Sequence, residues 1–103
     1  MLKMANSAEY KLGYSTIIKL SNECGSDTDK FVEQVLEMST MLNVYNTLTM
    51  NSIEVTKESY SNFIEGMCLY ITNSSIINEK ISKLYYTLID CIYNDIRVKG
   101  WGL

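Results

Sequence analysis

Apolar residues recur at spacings of three and four in four stretches of the chain, separated by short runs of Ser, Asn, Asp, Thr and Gly. That is the period of helices packed against one another. It predicts an all-α, four-helix bundle-like domain, with helices at about 7–23, 27–46, 57–72 and 75–99 and a flexible lead over residues 1–6. In the first stretch Tyr10, Tyr14, Ile17, Ile18 and Leu20 form the apolar stripe. Ser7 is placed to cap its start, and Glu9 in the first turn suits the helix dipole. Gly13 inside it costs about 1 kcal/mol relative to alanine, so either a neighbouring helix approaches closely there or the helix starts later. Gly25 after Cys24 reads as a C-terminal cap, and Ser26 followed by Asp29 resembles a capping box opening the second helix. In that helix Phe31, Val35, Met38, Leu42 and Tyr45 stack along one side and leave Lys30, Glu33 and Glu37 outside.

The periodicity weakens over 47–56, where Thr47, Thr49, Asn51 and Ser52 are poor helix formers and the apolar residues begin to alternate. A fraying helix end followed by a loop fits this segment, and a short hairpin around Asn51-Ser52 is the alternative. The third helix has a clear beginning: Thr56 as cap, Glu58 in the first turn, and Val55 placed to pack against Tyr60. Tyr60, Phe63, Ile64, Met67, Cys68 and Ile71 make its core face, and Glu58, Asn62 and Glu65 its solvent face. Asn73-Ser74-Ser75 matches a glycosylation sequon but reads as the turn that ends this helix. The last helix carries Ile77, Ile81, Leu84, Leu88, Cys91 and Ile92 on one side, widened by Tyr85, Ile89 and Ile96. As the longest and most apolar helix it is expected at the centre of the bundle. Gly100 is expected to close it in a left-handed conformation, with Trp101 folding back on Ile96.

The 103 residues suit a single helical domain, and the absence of proline lets helices run without breaks. Cys24, Cys68 and Cys91 are odd in number and far apart, so they read as small buried hydrophobes rather than a disulfide framework. No apolar run approaches the roughly 20 residues of a membrane span, and the start MLKMANSAEYK lacks the apolar core of a secretory leader. A cytoplasmic protein is the expectation. Twelve acidic and nine basic residues are spread along the chain, for a net charge of −3. Phosphate-backbone binding wants a basic face, so nucleic acid is disfavoured as a partner.

Candidate chemistry is sparse. The chain has no histidine, which removes the commonest general base and most catalytic triads and zinc sites. Asp27-Thr28-Asp29 resembles the start of a calcium loop, yet Val32 and Met38 stand where glycine and glutamate belong. No glycine-rich phosphate cradle is present, and the acids sit singly on polar helix faces. The expectation is a non-enzyme with no cofactor and no metal.

One surface exceeds a solvated face. Opposite the core stripe of the last helix, Glu79, Lys83, Tyr86, Asp90, Tyr93 and Arg97 repeat about every 3.5 residues. Tyrosine and arginine are enriched at binding hot spots because they bury large area at low rotamer cost and keep a polar handle. Tyr86, Tyr93, Arg97, Asp90 and Lys83 are therefore the candidate partner-binding residues, unless neighbouring helices cover both sides of this helix and make the two tyrosines core. The expected function is a protein-protein interaction module. It would be a small helical inhibitor or regulator, of the kind phages and mobile elements encode, and it would itself form a homodimer. An acidic helix-turn-helix regulator built on the second and third helices is one alternative, and a bundle of the bacteriocin-immunity kind is another.

Overall fold

The computed structural model describes residues 7–73 and 79–100. Five helices and no strand are found among them: α1 (Ala8–Cys24), α2 (Thr28–Met38), α3 (Met41–Met50), α4 (Lys57–Asn73) and α5 (Glu79–Lys99). The all-α, bundle-like expectation holds. Residues 1–6, the linker at 74–78 with Ile77, and Trp101 lie outside the described residues.

Each boundary has a local cause. Ser7 accepts the Tyr10 N–H at 3.2 Å, and α1 closes on Gly25, whose φ of 59° no β-carbon opposes and whose N–H reaches the Ser21 carbonyl. The cap of α2 is Asp27, which accepts the Lys30 N–H at 3.0 Å. It replaces Ser26, because the acid one residue later reaches the first turn directly. At α4 the expected cap forms reciprocally. Thr56 Oγ1 accepts the Ser59 N–H at 3.1 Å, and Ser59 Oγ accepts the Thr56 N–H at 2.8 Å. Gly100 ends α5 at φ 73°, with its N–H on the Arg97 carbonyl.

The helix expected over 27–46 is two helices. Ser39 Oγ donates to the Leu36 carbonyl, while Thr40 Oγ1 and Asn43 Nδ2 both donate to the Glu37 carbonyl. Polar side chains thus take the carbonyls that a continuous helix would use, and Thr40 caps a new one. The turn rotates the apolar stripe. Val44 and Leu48 are buried, and Leu42, expected in the core, is 71% exposed. The segment 47–56 is no hairpin. α3 runs on to Met50, and then Ser52 adopts φ 60°. The Ser52 N–H bonds to the Thr49 carbonyl and the Ile53 N–H to the Leu48 carbonyl, which is a Schellman closure with serine at the left-handed position.

α4, rather than the last helix, lies at the centre. Ser59, Tyr60, Asn62, Phe63, Ile64, Gly66, Met67, Cys68 and Ile71 are all buried along it. It packs chiefly on α1, with α5 and α3 on other sides and α2 bridging α1 to α5. The α1–α4 crossing is close. A β-carbon on Gly13 would stand 1.9 Å from the Phe63 carbonyl oxygen, and one on Gly66 would stand 2.1 Å from that of Tyr10. Glycine at both positions lets the backbones touch, which is the reason for Gly13 inside α1. Asn62 Nδ2 then reaches Glu9 at 3.1 Å, and the Tyr70 hydroxyl donates to Ser21 Oγ at 2.9 Å. Across the other side, the Tyr60 hydroxyl donates to the Asp95 carboxylate of α5.

Candidate functional site

α5 buries Ile81, Leu84, Leu88, Ile92 and Ile96 against α4 and α2 and turns its opposite side outward. Tyr86 is 67% and Tyr93 59% exposed. Lys83, Asp90 and Arg97 are exposed on the same side. Their arrangement is local. Arg97 donates to Asn94 Oδ1 at 2.8 Å, and Lys83 stands 3.6 Å from Glu79 one turn back. Asp90 has no ion-pair partner among the described residues. Asp90, Tyr93, Asn94 and Arg97 together line a shallow concavity of about 260 Å³. Lys83 and Tyr86 lie outside its lining, so the structure splits the five candidates into two groups along one helix face.

Tyr86 belongs to a second feature. With Tyr85, Ile81, Ser82, Ile71 and Thr72 it lines a hollow of about 220 Å³ between α4 and α5. The Tyr85 and Tyr86 rings meet edge to face with centroids 5.5 Å apart. Thr72 and Tyr85 also line an adjoining cavity of about 300 Å³, whose other walls are Tyr10, Glu65, Cys68, Leu69 and Ile89. The two hollows therefore adjoin at Thr72 and Tyr85.

Asn62 and Glu65 are not where the helix pattern places them. Both were expected on an open face, yet Asn62 is buried and Glu65 half-buried, because α1 covers the polar side of α4 as closely as α5 covers the apolar one. Burial pushes the Glu65 carboxyl up, against a smaller opposing pull from the chain's amino-terminal charge. No hydrogen bond or ion pair joins Glu65 to another described residue. Burial and then the Glu65 charge raise the Tyr10 phenol, and burial, Glu65 and Cys91 push the Cys68 thiol up to about 12. Cys91 is likewise raised, first by burial and then by Asp95. Cys68 and Cys91 are therefore held as neutral thiols, the unreactive form. Gly13 was the one sign in the sequence of a close helix approach, and that Gly66 opposes it is seen only in space.

A larger groove of about 590 Å³ lies between α1 and the α2–α3 end, with Leu12, Leu20, Met38 and Met50 among its walls and Lys19 and Glu23 balancing in charge. Among the described residues, no three His, Cys, Asp or Glu side chains stand together as metal ligands, and no helix is long and apolar enough to cross a membrane. No family model, curated protein or solved structure matches the chain.

Proposed function

We propose that this chain is a non-enzymatic, cytoplasmic interaction module that regulates a partner protein by docking it on the outer face of α5. The observation that carries this reading is the exposure of Tyr86 and Tyr93 on one helix, flanked by Arg97 and adjoining a groove walled by Tyr85 and Ile89. Large aromatic side chains left in water beside concave apolar surface are what a partner would desolvate with profit in free energy. Their packing role is small, since each ring is more than half exposed. Self-association through the same face is compatible with this function.

Chemistry on the described surface supports binding over catalysis. Among the described residues the cavity at Glu65 holds one carboxylate, not a pair, and the two thiols with resolved shifts are held protonated. A helix-turn-helix on the second and third expected helices would send α4 into a groove of DNA, but α4 is buried along most of its length and Lys57 is its one basic residue.

The test compares host proteins retained by the immobilised chain with those retained by the Tyr86→Ala/Tyr93→Ala/Arg97→Ala variant. A protein held by the first and lost from the second is expected, with a thermal midpoint moved by no more than about 10 °C, since three exposed substitutions at about 0.5 kcal/mol or less each sum to at most about 1.5 kcal/mol. Equal retention by both chains, or collapse of the variant fold, overturns the assignment.

A further inference from the structure

The outer face of α5 is symmetric about its middle. Glu79, Lys83, Tyr86, Asp90, Tyr93 and Arg97 are all exposed and share one side of the helix. Counted from Leu88, they stand nine, five and two residues before it and two, five and nine residues after it. Two identical helices packed antiparallel need that spacing, because a two-fold axis at the level of Leu88 sets each position against the one equally far on the other side in the second copy. The chemistry of the positions is complementary in the same order. Glu79 meets Arg97 as an acid against a guanidinium, Lys83 meets Tyr93 as a cation against a ring, and Tyr86 meets Asp90 as a phenol donating to a carboxylate. The axis repeats every contact, so one register satisfies the whole face along about 27 Å of helix. The bonds these groups already make, Lys83 to Glu79 at 3.6 Å and Arg97 to Asn94 at 2.8 Å, are retained in it. A carboxylate accepts on two oxygens, and a guanidinium carries five donors.

We propose that the outer face of α5 docks on the same face of a second copy of this chain, as an antiparallel two-fold pair centred at Leu88. Other arrangements set like against like or leave charges unmatched. A parallel pair places Lys83, Asp90 and Arg97 each against its own copy. Sliding the antiparallel pair by a heptad in one direction sets Glu79 against Asp90. Sliding it in the other carries Glu79 and Lys83 beyond the last turn of the neighbouring α5, which ends at Lys99. Opposed like charges penalise the wrong registers, so a polar face specifies one orientation. The contact is narrow and rich in exposed charge, which makes the dimer weak and sensitive to salt. The proposal rests on the exposed face that the docking reading above uses and deepens that reading: the second copy is the competitor that a regulated protein displaces.

Sedimentation equilibrium of the full chain, over a wide range of concentration and salt, is the test. The expected result is a reversible change from one to two copies per particle, with a dissociation constant that rises as salt is added. Glu79→Arg and Arg97→Glu each oppose like charges at both ends of the pair and are expected to raise that constant by about tenfold or more. Mixing the two single variants restores both ion pairs across the axis, as does the double variant Glu79→Arg/Arg97→Glu. Both are expected to dimerise within a few-fold of the parent, with a helical circular dichroism spectrum confirming the fold throughout. If a charge-reversed chain loses its helices, Tyr86→Phe and Asp90→Asn take its place. Each is expected to weaken dimerisation several-fold, and the two together no more than either alone, because they act on the same hydrogen bond. A parent that stays monomeric, single variants that dimerise like the parent, folded variants not restored by mixing, or fully additive effects at Tyr86 and Asp90 overturn the proposal. Capture of a host protein separates the two levels. If the parent is monomeric while the Tyr86, Tyr93 and Arg97 variant loses the captured protein, the pair fails and the docking face stands. If that variant retains the captured protein, the docking reading fails, and sedimentation still decides the pair.

Discussion

Glu65 shows how a single side chain can weigh against the fold that holds it. Its carboxyl titrates above the ordinary value of 4.5 because burial disfavours the charged form, so the folded chain binds a proton more tightly than the unfolded one. The stability contributed by that proton is fully present below the ordinary value and is lost as pH rises through the raised one. At neutral pH the carboxylate is therefore a net burden. Glu65→Gln is expected to raise the thermal midpoint at pH 7 by about one to three degrees, a modest gain because a half-buried carboxyl is still partly screened by solvent. The difference should vanish as the pH is brought down to about 4, and calorimetry across that range reads it. A variant less stable than the parent at pH 7 would mean that the carboxylate makes a favourable contact in the fold. The sequence hid this residue for a physical reason. A polar position on an amphipathic helix is assigned to water by its own helix alone, whereas burial is decided by the neighbour, here α1 drawn against α4 at Gly13 and Gly66.

At the scale of elements, apolar spacing foretold what depends on side-chain faces and failed where backbone groups decide. The core face of α4, from Tyr60 to Ile71, and that of α5, from Ile81 to Ile96, are buried as the periodicity requires. The break at Ser39-Thr40 was invisible to it, because Phe31, Val35, Met38 and Leu42 continue the spacing straight through while hydroxyl and amide groups capture the Leu36 and Glu37 carbonyls. The end of α3 was equally hidden, since its left-handed position is occupied by Ser52 instead of the usual glycine. The α1–α4 crossing yields the sharpest expectation at this scale. Replacing Gly66 by alanine removes the penalty of glycine in a helix, about 1 kcal/mol, but drives a methyl group into the Tyr10 carbonyl, and overpacking of that kind costs about 1–3 kcal/mol or more. With backbone and not a flexible side chain in the way, the clash wins. Gly66→Ala should lower stability by up to about 2 kcal/mol net in urea unfolding. A variant as stable as the parent would show that the two backbones are not in contact.

For the molecule as a whole, the question is which helix the others are built around. Apolar content alone selected the last helix, because its long stripe of Ile and Leu outweighs anything α4 offers. Position in a bundle depends instead on how many sides of a helix can be covered. α4 tolerates cover on several sides through residues that hydropathy ranks low: Gly66 at the α1 contact, Asn62 bonded to Glu9, and Ser59 inside its own cap. α5 cannot be covered in the same way, since its outer side carries Lys83, Asp90 and Arg97 beside the exposed tyrosines. The same division places the candidate binding face on a helix with one side free, while the rigid centre lies behind it. Local opening should follow this order, because amides exchange slowest where opening exposes the most buried surface. In native-state hydrogen exchange the amides of Phe63, Ile64, Met67 and Cys68 in α4 are expected to persist longest, those of Leu84, Leu88 and Ile92 in α5 to follow, and those of α3 to exchange first. α3 is short, and its Leu42 and Met50 are 71% and 84% exposed. Longer protection in α5 than in α4 would restore the last helix to the centre and remove the scaffold on which the cavity at Glu65 is assembled.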